Sequence, residues 1–365
     1  MNSGAPVLVA PLDWGLGHAA RCIPLIAQLR SLGVPVLLGG AGGSLLMLRR
    51  QFPDLPAVEL PAYGVRYGSG ASVLGPLLRQ SPRFFRVIRA EQAALRALHR
   101  ARPLRGVISD NRYGLHLPGL PAALICHQIA PMLPAPLQGL RGAAYALHRR
   151  LLAPFSQVWI PDHPGPEGLS GELSHGIALP PHAHYIGRLS RFPDPQAGPP
   201  RPAGMLALVS GPEPQRSLFE ARCLKLAAML ARPMTLIGGQ PDRRIRTIPG
   251  VQYHPFADGP QLQEMLLGAE LVLLRSGYSS LMDLAALDIR RMLLVPTPGQ
   301  PEQEYLAQRL AASGIAMCVR QAEPLAVWAR MIAAIAAESG ARPGFPPDGG
   351  RLLAPVLAGW LDYSC

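Results

Sequence analysis

Cysteine, lysine and aromatic residues are scarce in this chain, and each shortage narrows the functions open to it. The five cysteines, Cys22, Cys126, Cys223, Cys318 and Cys365, are odd in number, far apart and without a CxxC pair. Neither a disulfide framework nor a zinc site is indicated, and they read as reduced thiols. Aromatic residues make up only 6% of the chain. With no helix-turn-helix, zinc-finger or RNP-type pattern, nucleic acid is not expected as a partner. No uncharged apolar run reaches the ~18 residues that would suggest a membrane span. Met1–Gly15 lacks the basic start and apolar stretch of a signal peptide, so the chain is expected in the cytoplasm.

The charge that is present is unevenly placed. The net charge is +12, and Lys225 is the only lysine, so nearly all of the positive charge is arginine. Residues 1–190 hold 18 arginines against 8 acidic residues, a net of +10. A basic first half suits an anionic lipid surface or a phosphorylated substrate. Within it Arg79, Arg83, Arg86 and Arg89 recur at spacings of three and four, with Phe84, Phe85, Val87 and Ile88 among them and Arg96 and Arg100 further on. That pattern fits either a helix docking on an anionic membrane or an ordinary amphipathic helix with a solvated face.

A chain of 365 residues exceeds what one hydrophobic core usually supports, so two domains are expected. Short apolar runs alternate with helix-length segments, the signature of parallel sheets covered by helices. Strands are expected at Pro6–Leu12, Val34–Leu38, Val107–Ser109, Ala122–Cys126, Val158–Pro161 and His184–Ile186. Ala19–Leu32 reads as a helix, and Ser72–Arg102 as a mostly helical segment interrupted before Pro82. Phe192–Gly204 concentrates proline and glycine and is the expected linker. A second series of strands follows at Met205–Val209, Met234–Ile237, Leu271–Leu274, Met292–Val295 and Ile315–Val319. The predicted layout is a first domain over 1–191, a linker over 192–204 and a second domain over 205–350. A final helix within 351–365 is expected to pack back on the first domain.

Two constellations carry chemistry. The first is Asp13-Trp-Gly-Leu-Gly-His-Ala-Ala-Arg21, where Gly15 and Gly17 permit a tight strand-to-helix turn and the helix N-terminus favours an anion. The spacing resembles a dinucleotide fingerprint, yet Leu37-Leu38-Gly39-Gly40 at the end of the next strand supplies no acid for a ribose, which argues against NAD. His18 either takes part in chemistry or merely caps the helix. The second is Leu273-Leu-Arg-Ser-Gly-Tyr-Ser-Ser-Leu-Met-Asp283, followed by Val295-Pro-Thr-Pro-Gly-Gln-Pro-Glu-Gln-Glu-Tyr305. Ser276, Gly277, Tyr278 and Ser279 form a turn whose N–H and hydroxyl groups suit a diphosphate. Asp283, further along the same helix, suits ribose hydroxyls, while Gly299, Glu302, Gln303 and Glu304 form a polar loop at the next helix start. Asp110, Asn111 and His127 follow strands at the sheet edge where open α/β folds bind ligands, although an Asp-Asn pair is also an ordinary turn. Arg112 reads as a partner of Asp110 or as a solvent-facing residue.

At these residues the sequence resembles the GT-B glycosyltransferases. The likeness is to the family 28-like branch that transfers N-acetylglucosamine onto a lipid-linked cell-wall precursor, and to a group of predicted bacterial glycosyltransferases. The resemblance implies two Rossmann-like domains with the active site in the cleft between them. It implies that Gly15, Gly17 and His18 face the acceptor and the reacting centre. Ser276 and Gly277 match the donor diphosphate turn, and Asp283 stands where the family usually has a glutamate for the donor ribose. Gln303 and Glu304 match a sugar-contacting Gln-Gln pair with one departure, and Arg191 matches a phosphate-contacting arginine. Ser210-Gly-Pro-Glu-Pro-Gln-Arg216 replaces the family's glycine-rich loop, with Ser210 and Gly211 as its donor candidates.

The implied reaction is transfer from a nucleoside diphosphate sugar, UDP by resemblance, to a hydroxyl of an acceptor, with inversion. No DxD-type pair of acids ends a strand, so neither a metal nor any other cofactor is expected. His18 is the favoured base and Asp110 the second candidate. The expected partners are the sugar nucleotide, an acceptor that the resemblance makes lipid-linked, and the inner face of an anionic membrane. A sugar-nucleotide 2-epimerase of the same fold and a non-catalytic sugar-nucleotide or lipid-linked sugar binding protein are the alternatives.

Overall fold

A computed structural model describes residues 4–64, 74–192, 204–240, 243–338, 340, 342–348 and 352–363. They form two compact units, the first within 1–65, 77–191 and 346–365, the second within 66–76 and 192–345. Most of the expected linker, residues 193–203, lies outside the described residues, as does Cys365.

The first unit contains β1 (Val7–Pro11), α1 (Leu16–Ser31), β2 (Val36–Gly40), α2 (Gly42–Gln51), β3 (Ala57–Glu59), α3 (Leu74–Ala101), β4 (Gly106–Asp110), β5 (Ala122–Ile125), α4 (Arg141–Leu152), β6 (Gln157–Ile160) and β7 (Ala183–Tyr185). The strands pair in the order β3-β2-β1-β4-β5-β6-β7, and every pair is parallel. β1, β2, β4 and β5 are buried along their whole length, as apolar strands covered on both faces must be.

The second unit contains β8 (Met205–Leu208), α5 (Gln215–Leu230), β9 (Met234–Ile237), β10 (Val251–His254), α6 (Gly259–Gly268), β11 (Leu271–Leu274), α7 (Tyr278–Ala286), β12 (Met292–Leu294), α8 (Pro301–Ala312), β13 (Met317–Cys318) and α9 (Leu325–Ala337). Its sheet is also wholly parallel, in the order β10-β9-β8-β11-β12-β13. Both units are therefore doubly wound α/β domains.

The chain returns to the first unit through α10 (Leu353–Tyr363). Trp360, fully buried, meets Trp159 of β6 edge to face with ring centroids 5.7 Å apart. Gly106 makes room for that indole, since a Cβ there would stand 2.6 Å from the Trp360 ring. Arg105 donates to the Leu361 carbonyl at 2.9 Å, and Arg188 donates to the Pro346 carbonyl at 2.6 Å.

Three sequence expectations change. α1 begins at Leu16, inside the glycine turn, instead of at Ala19. α3 runs unbroken past Pro82, because Val87, Glu91 and Leu95, spaced by four, bury one stripe of the helix and offset the ~3 kcal/mol that an internal proline costs. The edge strands β3 and β10 were not anticipated, since their short sequences mix polar and apolar residues and all but one residue is at least partly exposed.

Candidate active site

In each sheet the first strand has its successor on one side and a later strand on the other: β1 lies between β2 and β4, and β8 between β9 and β11. The loops leaving such a neighbouring pair diverge and open a crevice at the strands' carboxyl ends. In the first unit β1 and β4 run in register, with Pro11 opposite Asp110. Gly15, the N-cap of α1, sits at φ 134°, a conformation that residues with a Cβ rarely adopt. That turn starts α1 early enough to set His18 and Arg21, one helical turn apart, against Asp110.

Asp110 is fully buried, and Arg21 is 1% exposed. Arg21 grips the carboxylate in a fork, Nε donating to Oδ2 and Nη2 to Oδ1. His18 Nδ1 stands 3.0 Å from Oδ1, and 19% of the His18 side chain remains exposed. Burial works to raise the Asp110 carboxyl, but Arg21 and His18 outweigh it and hold it at about 2. Asp110, ionised, only accepts and calls for a proton on Nδ1, whereas Arg21 Nη2, 2.9 Å from the same nitrogen, only donates; in the tautomer that satisfies Asp110 the Nε2 lone pair is available. Burial lowers the His18 pKa below its ordinary value, with Arg21 adding to the effect and Asp110 opposing it. His18 does not cap α1, which has no side-chain cap.

His127 joins the cluster from the loop after β5, its Nδ1 3.2 Å from Arg21 Nη1. Gly17 is the second residue of α1. Asn111 adopts φ 56°, so it serves the turn after β4 by taking a left-handed conformation that asparagine tolerates. Arg112 neither pairs with Asp110 nor faces solvent. It is fully buried, 3.0 Å from Glu91 of α3 and 3.8 Å from Asp13, and donates to the Pro61 carbonyl. Glu91 also accepts from Tyr63 at 2.8 Å and from the Gly114 N–H at 3.0 Å. Burial outweighs these partners and raises the Glu91 carboxyl to about 7. Asp13 accepts from the Tyr63 N–H, so one polar network connects α3 with the glycine turn.

In the second unit α7 begins at Tyr278 with Gly277 as its N-cap and no side-chain cap. Ser276 is buried and its hydroxyl donates to the Gln303 carbonyl at 2.7 Å. Tyr278 and Asp283 are buried on α7, while Ser279 is half-buried. Gln303 Oε1 accepts from the Thr297 N–H at 2.9 Å, and Glu304 accepts from the Gly299 N–H at 3.1 Å. These two side chains thus brace the loop before α8 instead of projecting from it. Glu302 is half-buried in the first turn of α8. Ser210 and Gly211 follow β8, with Gly211 at φ 101°. Arg191 is half-buried at the end of the first unit's central segment. Among the described residues, no three His, Cys, Asp or Glu side chains group as a metal site would require.

Two residues that matter here were not singled out from the sequence, Arg21 and Arg275. Arg275 is 1% exposed beneath the Ser276 turn, lies over the Phe219 ring and donates to the Val295, Pro296 and Gln215 carbonyls. With neutral carbonyls as partners, burial lowers its pKa to about 10. The available signal was an arginine set directly against an apolar run, Ala-Ala-Arg21-Cys-Ile and Leu-Leu-Arg275.

Comparison with known proteins agrees with this architecture. Residues 240–335 match the glycosyltransferase family 28 C-terminal domain. The chain is 28% identical, over 88% of its length and 70% of the relative's, to the UDP-N-acetylglucosamine--N-acetylmuramyl-(pentapeptide) pyrophosphoryl-undecaprenol N-acetylglucosamine transferase of Xanthomonas oryzae pv. oryzae. Among solved structures, the spinosyn rhamnosyltransferase SpnG complexed with thymidine diphosphate superposes with a TM-score of 0.62 at 16% identity, covering 98% of this chain and 95% of that one. MurG of Acinetobacter baumannii gives 0.51 at 14% identity, covering 91% and 90%. The chain is a glycosyltransferase of the GT-B fold, and its second unit resembles the family 28 C-terminal domain over residues 240–335.

Proposed function

We propose that this glycosyltransferase moves a sugar from a UDP-sugar to a hydroxyl of a lipid-linked acceptor, with inversion and without a metal ion. The observation that carries the reading is the His18–Asp110 contact of 3.0 Å, fixed by Arg21 at the crevice between β1 and β4. In the tautomer with its proton on Nδ1, toward the buried carboxylate, the neutral imidazole accepts a proton at Nε2. The acceptor hydroxyl loses its proton to that nitrogen as its oxygen bonds to the anomeric carbon, and the bond to the nucleoside diphosphate breaks with its electron pair. Asp110 is then the residue that positions and stabilises the imidazolium. Buried and gripped by Arg21, it is a poor candidate for the base itself.

The donor reading belongs to the second unit. The uncapped N-terminus of α7 offers N–H groups to a diphosphate, with Ser210 and Gly211 as further contacts, and Asp283 accepts the ribose hydroxyls. The Ser276 hydroxyl, Gln303 and Glu304 shape the neighbouring loop, and Gly299 and Glu302 border it. The Xanthomonas relative's name specifies a UDP-linked donor and an undecaprenol-linked acceptor, which supports UDP and a lipid-linked acceptor here. The Xanthomonas relative and SpnG are named as transferases, which supports transfer over 2-epimerisation.

A lipid-linked acceptor would be met at the inner face of a membrane. No described helix is long and apolar enough to cross one. Arg83, Phe85, Arg86 and Arg89 are exposed on α3, while the side chain of Arg79 lies outside the described residues. Leu140 and Leu147, exposed with Arg149 and Arg150 on and beside α4, extend the same basic and apolar character. The rings of Phe84, Tyr113 and His148 join the two helices in a row.

His18→Ala should lower turnover by about 10²–10⁴-fold with little change in donor affinity. Because His18 must be neutral and its pKa is lowered, kcat/KM should hold as pH falls through 6.5 and decline only below it. A nearly wild-type His18→Ala enzyme would remove the base assignment. Asp110→Asn leaves a buried guanidinium uncompensated and should cost about 3–5 kcal/mol in urea denaturation, along with activity. An unchanged midpoint would contradict the ion pair. For the donor, Asp283→Ala should weaken UDP binding about ten- to hundred-fold in titration calorimetry, and EDTA should leave wild-type binding unchanged. Equal affinity in the variant, or loss on chelation, would refute the ribose role or the metal-free reading respectively. Flotation should recover the protein with anionic vesicles and not with neutral ones; equal recovery would exclude the membrane role.

A further inference from the structure

The connection between β9 and β10 carries Arg243, Arg244 and Arg246 within four residues. It runs beside the first turns of α5, and together they enclose a pocket of about 580 Å³ lined by these three arginines, Arg216, Glu220 and Tyr253. Glu220 anchors one wall, accepting from Arg216 Nη1 at 2.6 Å and from Arg246. Arg216 is fixed further by Glu213 at 2.6 Å and the Gly238 carbonyl at 3.1 Å. The Arg246 guanidinium lies over the Tyr253 ring, 4.2 Å from its centroid. Arg243 and Arg244 are exposed and have no carboxylate within ion-pair reach among the described residues. Asp242 lies outside the described residues, but even with its charge and those of Glu213 and Glu220 counted, the four arginines leave the site positive.

We propose that this pocket binds the phosphoryl group of an organic phosphate, at a site separate from the donor diphosphate. The pocket lies on the β9 and β10 side of β8, whereas the Ser276 turn follows β11 on the other side; Ser210 and Gly211, also donor candidates of this unit, precede Arg216 in the β8–α5 connection, so competition with UDP decides the separation. Guanidinium groups match phosphate with two parallel hydrogen bonds each, and an anion among them relieves their mutual repulsion. The volume exceeds one phosphate and falls within the ~300–1,000 Å³ of small-molecule sites, so the ligand carries an organic body as well. A soluble phosphate ester and a phospholipid headgroup share this chemistry.

The test is calorimetric titration of inorganic pyrophosphate into the full chain, with and without saturating UDP, for the wild type and for Arg243→Gln/Arg244→Gln. Both positions are exposed, so the double substitution removes no buried contact. Pyrophosphate should bind the wild type with UDP present, and at least about tenfold more weakly to the variant, while UDP affinity stays the same. Equal binding by the variant, or displacement of pyrophosphate from the wild type by UDP, overturns the proposal. Flotation with phosphatidylcholine vesicles containing phosphatidic acid separates the sources. Recovery that drops in the variant assigns the headgroup, and unchanged recovery beside weakened pyrophosphate binding assigns the soluble ester. A wild type that ignores UDP refutes the donor reading, yet leaves the variant comparison decisive for the pocket.

Discussion

A carboxylate at the end of a fully buried strand has to be compensated, and the pairing of Asp110 with Arg21 is that compensation. Removing two opposite charges from water costs several kcal/mol per ion, and their attraction offsets this only when the geometry is good and the remaining atoms are bonded. The fork from Arg21, the contact from His18 and the contact between Arg21 and His127 meet that condition. The arrangement also bears on chemistry: the ionised Asp110 favours the His18 proton on Nδ1, against the Arg21 donor beside it, and so favours Nε2 as the nitrogen left for a proton. The second unit meets the same demand differently. Arg275 is buried with no carboxylate partner among the described residues, so its charge is dispersed over backbone carbonyls at the start of α5 and in the loop after β12. In one unit a buried charge orients a side chain, and in the other it gathers the loops of the expected donor site.

The central strands were legible because parallel strands covered on both faces need unbroken apolar runs, as in Val7–Pro11 and Leu271–Leu274. Two of the four edge strands were not, since Ala57–Glu59 and Val251–His254 mix polar and apolar residues and carry no periodicity over so short a span. His18 and Asp110 could each be suspected from their place after a strand. Their contact could not, because 92 residues separate them and only the pairing of β1 with β4 brings them together. Arg21 and Arg112 illustrate a different limit. An arginine in a sequence reads first as a solvated charge, and only the positions of Asp110 and Glu91 show that these two are interior residues.

The buried network of Glu91, Arg112, Tyr63 and Asp13 gives α3 a second role beside its exposed arginines. One face of the helix is polar and solvated, while the other reaches through Glu91 to the turn that starts α1. Glu91, its carboxyl raised to about 7 by burial, is held by two side chains, Tyr63 and Arg112, and by the Gly114 N–H, so that face is buried without being purely apolar. A surface helix is thus tied to the loop that presents His18.

The return of the chain to the first unit has a consequence for how the protein is made. Trp360 fills the space that Gly106 leaves and packs on Trp159, so the core of the first unit includes residues synthesised after the whole of the second sheet. On the ribosome the strands of the first unit emerge well before α10, so the packing around Trp159 and Gly106 is completed only after the second unit has been synthesised. The last helix to emerge thus finishes a core begun by the first strands.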